Sequence, residues 1–329
     1  MNIAVVTGGA GFIGSHVVDL LLAEGYRVHV VDNLVGGRLQ NLDQHKDNSN
    51  LVVEVRDIRE IEARDALFND AQYVFHFAGI GDVVPSIERP VDYLSTNMMG
   101  TVRVLEAARF AGARKLVYAA SSSCYGIADV PTREDAPIRP QYPYALSKYM
   151  GEEAVLHWGK VYKLPVNSIR IFNAYGTRSR TSGAYGAVFG VFLAQKLAGK
   201  PFTIVGDGTQ RRDFLFVTDV AHAFYLAART ERTNEIYNLG AGDPQPVNSL
   251  VELLGGGETV HLPKRPGEPD CTWADITKIQ RDLSWKPTVS LADGVARMVE
   301  NIDYWRQAPV WDKQSISKAT AQWFKYLRN

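Results

Sequence analysis

The sequence predicts an α/β protein with a doubly wound parallel sheet and a second, smaller C-terminal region. Through the first half, apolar runs of strand length alternate with helical patterns; the first run breaks into glycines before a helix, and the second ends at an aspartate. After residue 172 the alternation gives way to segments interrupted by Gly and Pro. A chain of 329 residues exceeds the size at which one hydrophobic core usually suffices, so two regions are expected.

Six apolar runs have the length and composition of buried strands. The first two begin at Ile3 and Val28, and the others span residues 51–55, 73–77, 116–120 and 166–171. Helical patterns separate them, as expected for parallel strands joined by crossovers. Ligands of such sheets bind at the carboxyl ends of the strands, so the residues that follow each run are candidates for a binding site.

The first run is followed by a glycine-rich turn that opens a helical pattern. Its glycines fit both GxGxxG and GxxGxxG, and they are Gly8, Gly9, Gly11 and Gly14. Such a turn brings a helix N-terminus against a pyrophosphate. Asp32 ends the second run, where an acid bonds the adenosine ribose and repels a 2′-phosphate. This order predicts a Rossmann-type domain that binds NAD rather than NADP; Arg38 would weaken that preference unless it is a solvated loop residue.

Tyr144 and Lys148 stand four residues apart in Tyr-Ala-Leu-Ser-Lys, which places a phenol and an ammonium on one face of a helix. An adjacent cation favours the phenolate, so we expect it to lower a phenol pKa of roughly 10 toward the working pH. The phenolate could then accept a substrate proton. An ordinary exposed helix pair has the same spacing, and the surrounding motifs favour the catalytic interpretation.

Composition limits the possible partners. Lys plus Arg equal Asp plus Glu at 36 each, so no overall field favours nucleic acid or an anionic membrane. The two cysteines form no disulfide framework, and with the seven histidines they make no metal-ligand cluster, so no metal site is expected. The chain begins directly with a strand pattern and has no apolar run of about 20 residues. A cytoplasmic enzyme without a membrane span is therefore expected.

The motifs together resemble one known family along nearly the whole chain. They are TGGAGFIG, Asp32-Asn33, Asp57-Ile58, HFAG, the element around Asn97, SSSCYG, YALSK, RIFN, QRRDF, FVTDV, NLG and RPGEPDCTWAD. In this order they are similar to the extended short-chain dehydrogenase/reductases, specifically the NAD-dependent nucleotide-sugar epimerases and dehydratases. Within that family the chain most resembles the UDP-hexose 4-epimerases.

The resemblance implies the roles of the site residues. Tyr144 would remove the proton of a sugar hydroxyl, Lys148 would support it and bond the nicotinamide ribose, and Ser121 would orient the same sugar oxygen. The remaining residues implied for NAD are Gly8, Gly11, Phe12, Ile13, Gly14, Asp32, Asn33, Asp57, Ile58, Phe77, Ala78, Gly79 and Asn97. The implied reaction is transient oxidation to a 4-keto sugar, turning of that sugar, and return of the hydride to its other face.

The segment Ser121–Cys124 bears on the choice of reaction. Similar dehydratases carry acidic residues here because eliminating water needs a further acid and base, whereas this segment has no carboxylate. Epimerisation is therefore expected. A dehydratase or a net NAD(P)-dependent 4-ketosugar reductase remains the alternative, and a noncatalytic NAD-binding scaffold is a remote one.

For the substrate, the resemblance assigns Asn173, Arg212 and Arg265 to the nucleotide diphosphate and adjoining ribose, since a guanidinium fork suits paired phosphate oxygens. It assigns Asp270 to the nucleotide ribose. Ser122 is a further candidate contact, or else a hydroxyl that satisfies local backbone groups. Thr272 occupies the position beside the sugar 2-substituent, where a small residue admits an N-acetyl group. UDP-glucose, UDP-N-acetylglucosamine or both are the expected substrates.

The expected organisation is a Rossmann domain of residues 1–172 plus roughly 209–239, and a nucleotide-sugar-binding domain of residues 173–208 and 240–329. Relatives commonly pair two long helices per subunit, which residues 91–110 and 144–162 could supply. A homodimer is therefore expected from the resemblance, although the apolar residues of these helices could equally pack within one subunit.

Overall fold

The computed structural model describes residues 2–179 and 187–327. Residues 180–186 and 328–329 of the predicted substrate region lie outside that part. The strands of the described part are β1 (Ile3–Thr7), β2 (Arg27–Asp32), β3 (Leu51–Val55), β4 (Ala71–His76), β5 (Lys115–Ser121), β6 (Val166–Ile171), β7 (Asn173–Tyr175), β8 (Phe202–Val205), β9 (Arg211–Arg212), β10 (Phe214–Phe216), β11 (Glu235–Leu239), β12 (Gln245–Pro246) and β13 (Thr259–Leu262).

The helices of the same residues are α1 (Phe12–Ala23), α2 (Val83–Glu88), α3 (Pro90–Leu94), α4 (Thr101–Phe110), α5 (Pro143–Tyr162), α6 (Val188–Leu197), α7 (Val217–Arg229), α8 (Val247–Leu253), α9 (Thr277–Leu283), α10 (Leu291–Glu300), α11 (Lys313–Ala319) and α12 (Ala321–Tyr326). A π-helical stretch, Ser95–Gly100, joins α3 to α4. No helix of the described residues is long and apolar enough to cross a membrane.

Within the described residues, seven parallel strands form the central sheet in the order β11-β6-β5-β4-β1-β2-β3. Alternate residues of a strand face opposite sides. In β1, Ala4 and Val6 pack into the core formed with α1 and α7, while Val5 packs into the core formed with α4 and α5. Helices thus cover both faces, which confirms the predicted fold class.

The six predicted strands are present; two have the predicted bounds, 51–55 and 166–171, and the ends of the others differ by at most two residues. The seventh strand, β11, was not among them, since its sequence Glu-Ile-Tyr-Asn-Leu offers no continuous apolar run. It pairs with β6 at the edge of the sheet. Its Asn238 is buried, and the side-chain amide accepts a hydrogen bond from the Tyr125 hydroxyl and donates one to the Thr132 carbonyl.

The remaining strands form small two-stranded pairs: β7 with β10, β8 with β13, and β9 with β12. An apolar core that includes Tyr175, Phe192, Phe202 and Trp305 lies among them and the helices α6, α8 and α10. The segment containing Ile279, Leu283 and Trp285 packs instead into the core of the α1 and α7 side. The C-terminal region is therefore joined to the sheet by side-chain packing as well as by the chain.

Candidate active site

A cavity of about 960 Å³ runs along the carboxyl ends of the sheet strands, with the C-terminal region on its other side. Most of the predicted site residues lie on its wall. They are Gly8, Gly11, Phe12, Ile13, Gly14, Asp32, Asn33, Ile58, Phe77, Ala78, Gly79, Ser121, Ser122, Tyr144, Lys148, Asn173, Arg212, Arg265 and Thr272. Three predicted residues, Asp57, Asn97 and Asp270, do not line it.

The glycine turn after β1 leaves no room for side chains. Gly8 has φ +71°, and a Cβ there would lie 2.6 Å from the Ala78 nitrogen. A Cβ on Gly14 would lie 2.1 Å from the Gly8 carbonyl oxygen. The turn therefore packs tightly against the start of α1, whose first residues, Phe12 and Ile13, line the cavity. Amide groups at a helix N-terminus suit a pyrophosphate, so the turn fits NAD.

Asp32 lies at the end of β2 with its carboxylate held by the backbone. Its oxygens accept hydrogen bonds from the Ala10 amide at 3.1 Å and the Leu34 amide at 2.8 Å. Burial raises the pKa of Asp32, and these backbone hydrogen bonds oppose that rise. Arg38 stacks over the Tyr304 ring, 5.6 Å from its centroid, and is not a cavity-lining residue. The ribose end of the cavity thus presents an acid, as an NAD site requires.

Asp57 lies behind the cavity wall and orders its neighbours. It accepts a hydrogen bond from Asn33 Nδ2 at 2.9 Å, and Arg59 donates to it from both Nε and Nη2. These bonds from Arg59 lower the pKa of Asp57 to about 2. The carboxylate therefore positions Asn33, and both Asn33 and Ile58 line the cavity.

Asn97 is buried in the π-helical stretch and fastens the loop after β4. Its amide accepts from the Ile80 nitrogen at 2.8 Å and donates to the Ile80 oxygen at 3.0 Å. Its Nδ2 also donates to Ser147 Oγ at 2.9 Å, on α5. Asn97 thus links the loop that carries Gly79 to the helix that carries Tyr144 and Lys148. This placement makes Asn97 a supporting residue of the cavity rather than part of its surface.

Tyr144 and Lys148 lie in the first two turns of α5 and face the cavity together with Ser121, the last residue of β5. The Ser121 hydroxyl is hydrogen-bonded to the Tyr144 phenol. The Lys148 ammonium lies over the Tyr118 ring, 4.4 Å from its centroid. A hydroxyl, a phenol and an amine therefore converge on one part of the wall, as proton transfer to a substrate oxygen requires.

Burial controls the protonation of this group. It raises the pKa of Tyr144; the Ser121 hydrogen bond opposes the rise, and the negative charge of Asp82 adds to it. Burial also lowers the pKa of Lys148 to about 7. The expected lowering of the Tyr144 pKa is thus absent, because desolvation outweighs the hydrogen bond and disfavours both charged forms.

Glu152 lies in α5 one turn after Lys148 and is 1% exposed. Its carboxylate binds Arg170, 3% exposed, through Nε and Nη2, and it accepts from Ser168 Oγ at 2.7 Å. Arg170 Nη1 also donates to the Tyr125 hydroxyl at 2.7 Å. This buried network joins α5 to the turn after Ser121, and the charge of Glu152 favours protonated Lys148. The sequence analysis did not single out Glu152, although its spacing of eight residues from Tyr144 could have indicated it.

At the opposite end of the cavity, two arginines flank one carboxylate. Glu268 accepts from Arg212 Nη2 at 3.0 Å and pairs with Arg265 Nε at 2.9 Å. All three residues line the cavity. Glu268 was missed in the sequence, where Asp270 was preferred. Asp270 is instead 77% exposed and pairs with Lys264 at 2.5 Å, because the chain turns outward after Gly267.

Thr272 and Asn173 meet on the cavity wall. The Thr272 hydroxyl donates to Asn173 Oδ1 at 2.6 Å. Thr272 therefore presents a small side chain on this part of the wall. Two aromatic residues without a sequence-level prediction, Tyr142 and Trp323, also line the cavity. Trp323 lies some 50 residues beyond the last recognised motif, so no motif could have indicated it.

The fold and the cavity are typical of a dinucleotide-binding α/β protein, and a Tyr, a Lys and a Ser lie together on the cavity wall. A family model described as the NAD dependent epimerase/dehydratase family matches residues 4–240, and the chain belongs to that family. The UDP-glucose 4-epimerase of Mycolicibacterium smegmatis is 36% identical over 304 residues, which are 90% of this chain and 97% of the relative.

Two solved structures extend the comparison. UDP-glucuronic acid 4-epimerase from Bacillus cereus, in complex with UDP-glucuronic acid and NAD, has TM-score 0.86 and 32% identity, covering 92% of this chain and 99% of its own. UDP-N-acetylglucosamine 4-epimerase from Methanobrevibacter ruminantium has TM-score 0.85 and 30% identity, covering 91% and 99%. These matches confirm the predicted family, the class of enzyme and NAD as its cofactor.

Proposed function

We propose that this enzyme interconverts C4 epimers of a UDP-hexose, with UDP-glucose, UDP-N-acetylglucosamine or both as substrates. One observation carries the proposal: a single cavity is lined both by the Ser121, Tyr144 and Lys148 group and by the Arg212 and Arg265 pair. A UDP-sugar needs both groups, because its C4 hydroxyl must lose a proton and its diphosphate must be held by cations.

The proton step takes place at Tyr144. Its phenolate accepts the proton of the C4 hydroxyl, and Ser121, hydrogen-bonded to the same phenol, holds that sugar oxygen in line. Protonated Lys148 supplies the positive charge behind the phenolate, and the charge of Glu152 favours this protonated form against the effect of burial. When the hydride returns, Tyr144 gives the proton back, so the residue ends the cycle in its starting state.

Bound NAD supplies the acceptor and later the donor of the C4 hydride. The chain's own contribution is to hold the dinucleotide at the glycine turn and at Asp32, and to leave the sugar room to turn. The turned ketone then presents its other face, and no net oxidation occurs. The enzyme therefore needs one tightly bound NAD and no supply of reduced nucleotide.

The Ser121–Cys124 segment supports epimerisation over elimination of water. Ser122 lies on the cavity wall, and this segment contains no carboxylate. Cys124 is buried, and burial raises the pKa of its thiol to about 12, so it is not an acid or base for the reaction. A dehydratase would need an acid and base pair beyond Tyr144 at this position.

The arginine end is assigned to the nucleotide diphosphate. Arg212 and Arg265 offer guanidinium donors, which suit paired phosphate oxygens. Glu268 orients both arginines and is the acid placed to meet the nucleotide ribose, in place of Asp270. Asn173 and Ser122 complete the polar wall between phosphate and sugar.

Two residues bear on the sugar. Thr272 leaves volume for an N-acetyl group, which favours tolerance of UDP-N-acetylglucosamine. Asp82 lies on the wall, and its charge acts on Tyr144, so a carboxylate on the sugar meets a like charge there. UDP-glucuronate is therefore the poorest of the three sugars.

The proposal is tested by incubating the purified protein, without added cofactor, with each of these three UDP-sugars and separating the C4 epimers by chromatography. We expect conversion of UDP-glucose or UDP-N-acetylglucosamine. Conversion that requires added reduced nucleotide would indicate a net reductase, and loss of water from the sugar would indicate a dehydratase.

The assembly is proposed to be a homodimer in the cytoplasm. Helices α3 to α5 expose large apolar side chains, and these are Val91, Met99, Phe110, Leu146 and Val161. Apolar residues exposed together on neighbouring helices suit contact with a second copy. Both cysteines are free, which suits a reducing compartment. Sedimentation analysis should give a mass near twice 36.5 kDa.

A further inference from the structure

The C-terminal helix α12 reaches the cavity through Trp323. This side chain is 4% exposed, yet its indole forms part of the cavity wall. The indole N–H donates to the Pro266 carbonyl oxygen at 2.8 Å. Helix α12 also packs against α2, whose Val83 and Val84 lie on the same wall. The last described helix of the chain is therefore built into the site.

Trp323 connects the two ends of the cavity. Its ring lies 5.4 Å from the Tyr142 ring, which in turn is stacked at 6.4 Å on the catalytic Tyr144. On its other side, the Arg265 guanidinium lies 5.7 Å from the Trp323 ring centroid. A continuous row of side chains thus runs from the proton-transfer residue to the diphosphate clamp. The row therefore forms one side of the cavity between Tyr144 and Arg265.

We infer that Trp323 is a positioning residue that closes the sugar compartment and retains the 4-keto sugar while it turns. This inference rests on the proposed epimerase function. While the 4-keto sugar turns, it must be free to rotate within the cavity and must not dissociate from the enzyme. A rigid aromatic wall meets both demands, since it offers no hydrogen bond that would fix one orientation and it blocks the exit with bulk.

Loss of the aromatic wall would let the 4-keto sugar leave before the hydride is returned to it. Tyr144 has taken the C4 hydroxyl proton and NAD has taken the C4 hydride, so the sugar has lost two electrons as a ketone. If that ketone diffuses away, the two electrons remain on the enzyme as reduced nicotinamide, and the enzyme cannot begin another cycle with a fresh alcohol substrate. Escape therefore inactivates the enzyme in proportion to the number of turnovers.

The test uses the holoenzyme with UDP-glucose and UDP-N-acetylglucosamine, and compares W323A and W323F with Y326A. Tyr326 lies on the same helix, is 60% exposed and does not line the cavity, so Y326A controls for effects on α12 itself. The readouts are KM, kcat, free 4-keto sugar trapped by borohydride, and the near-ultraviolet absorbance of reduced nicotinamide. Thermal unfolding of each variant tests whether it is folded.

For W323A we expect KM to rise about tenfold, which corresponds to about 1.4 kcal/mol, and reduced nicotinamide to accumulate during turnover. W323F keeps a ring against Tyr142 and should retain the ketone nearly as well as the wild type, despite losing the bond to Pro266. Y326A should match the wild type.

The inference is overturned if folded W323A shows the wild-type KM and no more reduced nicotinamide than Y326A while the wild type epimerises normally. It is also overturned if W323F loses the ketone as readily as W323A, because the hydrogen bond rather than the ring would then be responsible. If the wild type converts none of the UDP-sugars, the proposed function fails, and this inference fails with it.

Discussion

Replacing Glu268 by Ala should weaken substrate binding, whereas replacing Asp270 should not. The two acids are two residues apart in one loop, which makes them a matched pair. Glu268 joins Arg212 and Arg265 on the cavity wall, while Asp270 faces solvent with Lys264. The comparison therefore tests the structural assignment of the nucleotide end against the motif-based one.

The magnitude follows from these contacts. A hydrogen bond to a charged group contributes about 1.5–3 kcal/mol, and the lower value applies because Glu268 is partly exposed. Loss of about 1.5 kcal/mol raises KM about tenfold. Since this contact is made equally in ground and transition states, kcat should stay within about twofold. The exposed Asp270 pair contributes little, so D270A should change KM by less than about twofold.

Initial-rate kinetics with UDP-glucose, and calorimetric titration of UDP as an independent binding measurement, provide the assay. Equal KM increases in E268A and D270A would refute the assignment of the ribose and phosphate end to Glu268. A lower KM in E268A would refute its orienting role, because it would show that the carboxylate competes with the diphosphate for the arginines.

Four further outcomes are expected. Tyr144→Phe should lower kcat by about 10²–10⁴-fold while UDP affinity is unchanged, because only proton transfer is lost; a weaker UDP affinity would point to misfolding. Thr272→Tyr should remove activity on UDP-N-acetylglucosamine and keep it on UDP-glucose, and Asp82→Asn should raise the UDP-glucuronate rate relative to UDP-glucose; unchanged rate ratios would refute these assignments. Burial lowers the pKa of His76 to about 3, whereas an unfolded histidine titrates near 6.5. The unfolded state thus binds more protons below about pH 6.5, and stability should fall from there toward pH 3, by about 2 kcal/mol at pH 5. Urea unfolding at pH 7 and 5 should show a smaller loss in H76Q.

The strand and glycine pattern was sufficient to predict the sheet because buried parallel strands read as continuous apolar runs. It failed at β11, where Glu235 and Asn238 interrupt the run at the edge of the sheet. Asn238 can be buried because its amide is hydrogen-bonded to Tyr125 and to the Thr132 carbonyl. Both partners lie more than 100 residues away in the chain, and sequence periodicity carries no information on such distant partners.

The site was predictable where function depends on local spacing. Tyr144 and Lys148 share a helix face, and Asp32 follows its strand, so both could be placed from sequence. The choice between Glu268 and Asp270 depended on the direction of a loop after Gly267, whose φ of +73° turns the chain. Trp323 depended on tertiary packing alone. The direction of the Tyr144 pKa shift could not be predicted from the sequence. Burial raises the pKa of Tyr144 and lowers that of Lys148, and the sequence does not show how deeply the two side chains are buried.

The central claim is that the C4 hydride leaves the sugar and returns to the same carbon within one enzyme. The most direct measurement is to supply UDP-glucose deuterated at C4 to the purified protein in ordinary water, without added NAD, and to examine the product by proton and deuterium NMR. The account predicts a galacto-configured product that retains deuterium at C4. Replacement of that deuterium by solvent hydrogen, or conversion only with external reduced nucleotide, would contradict it.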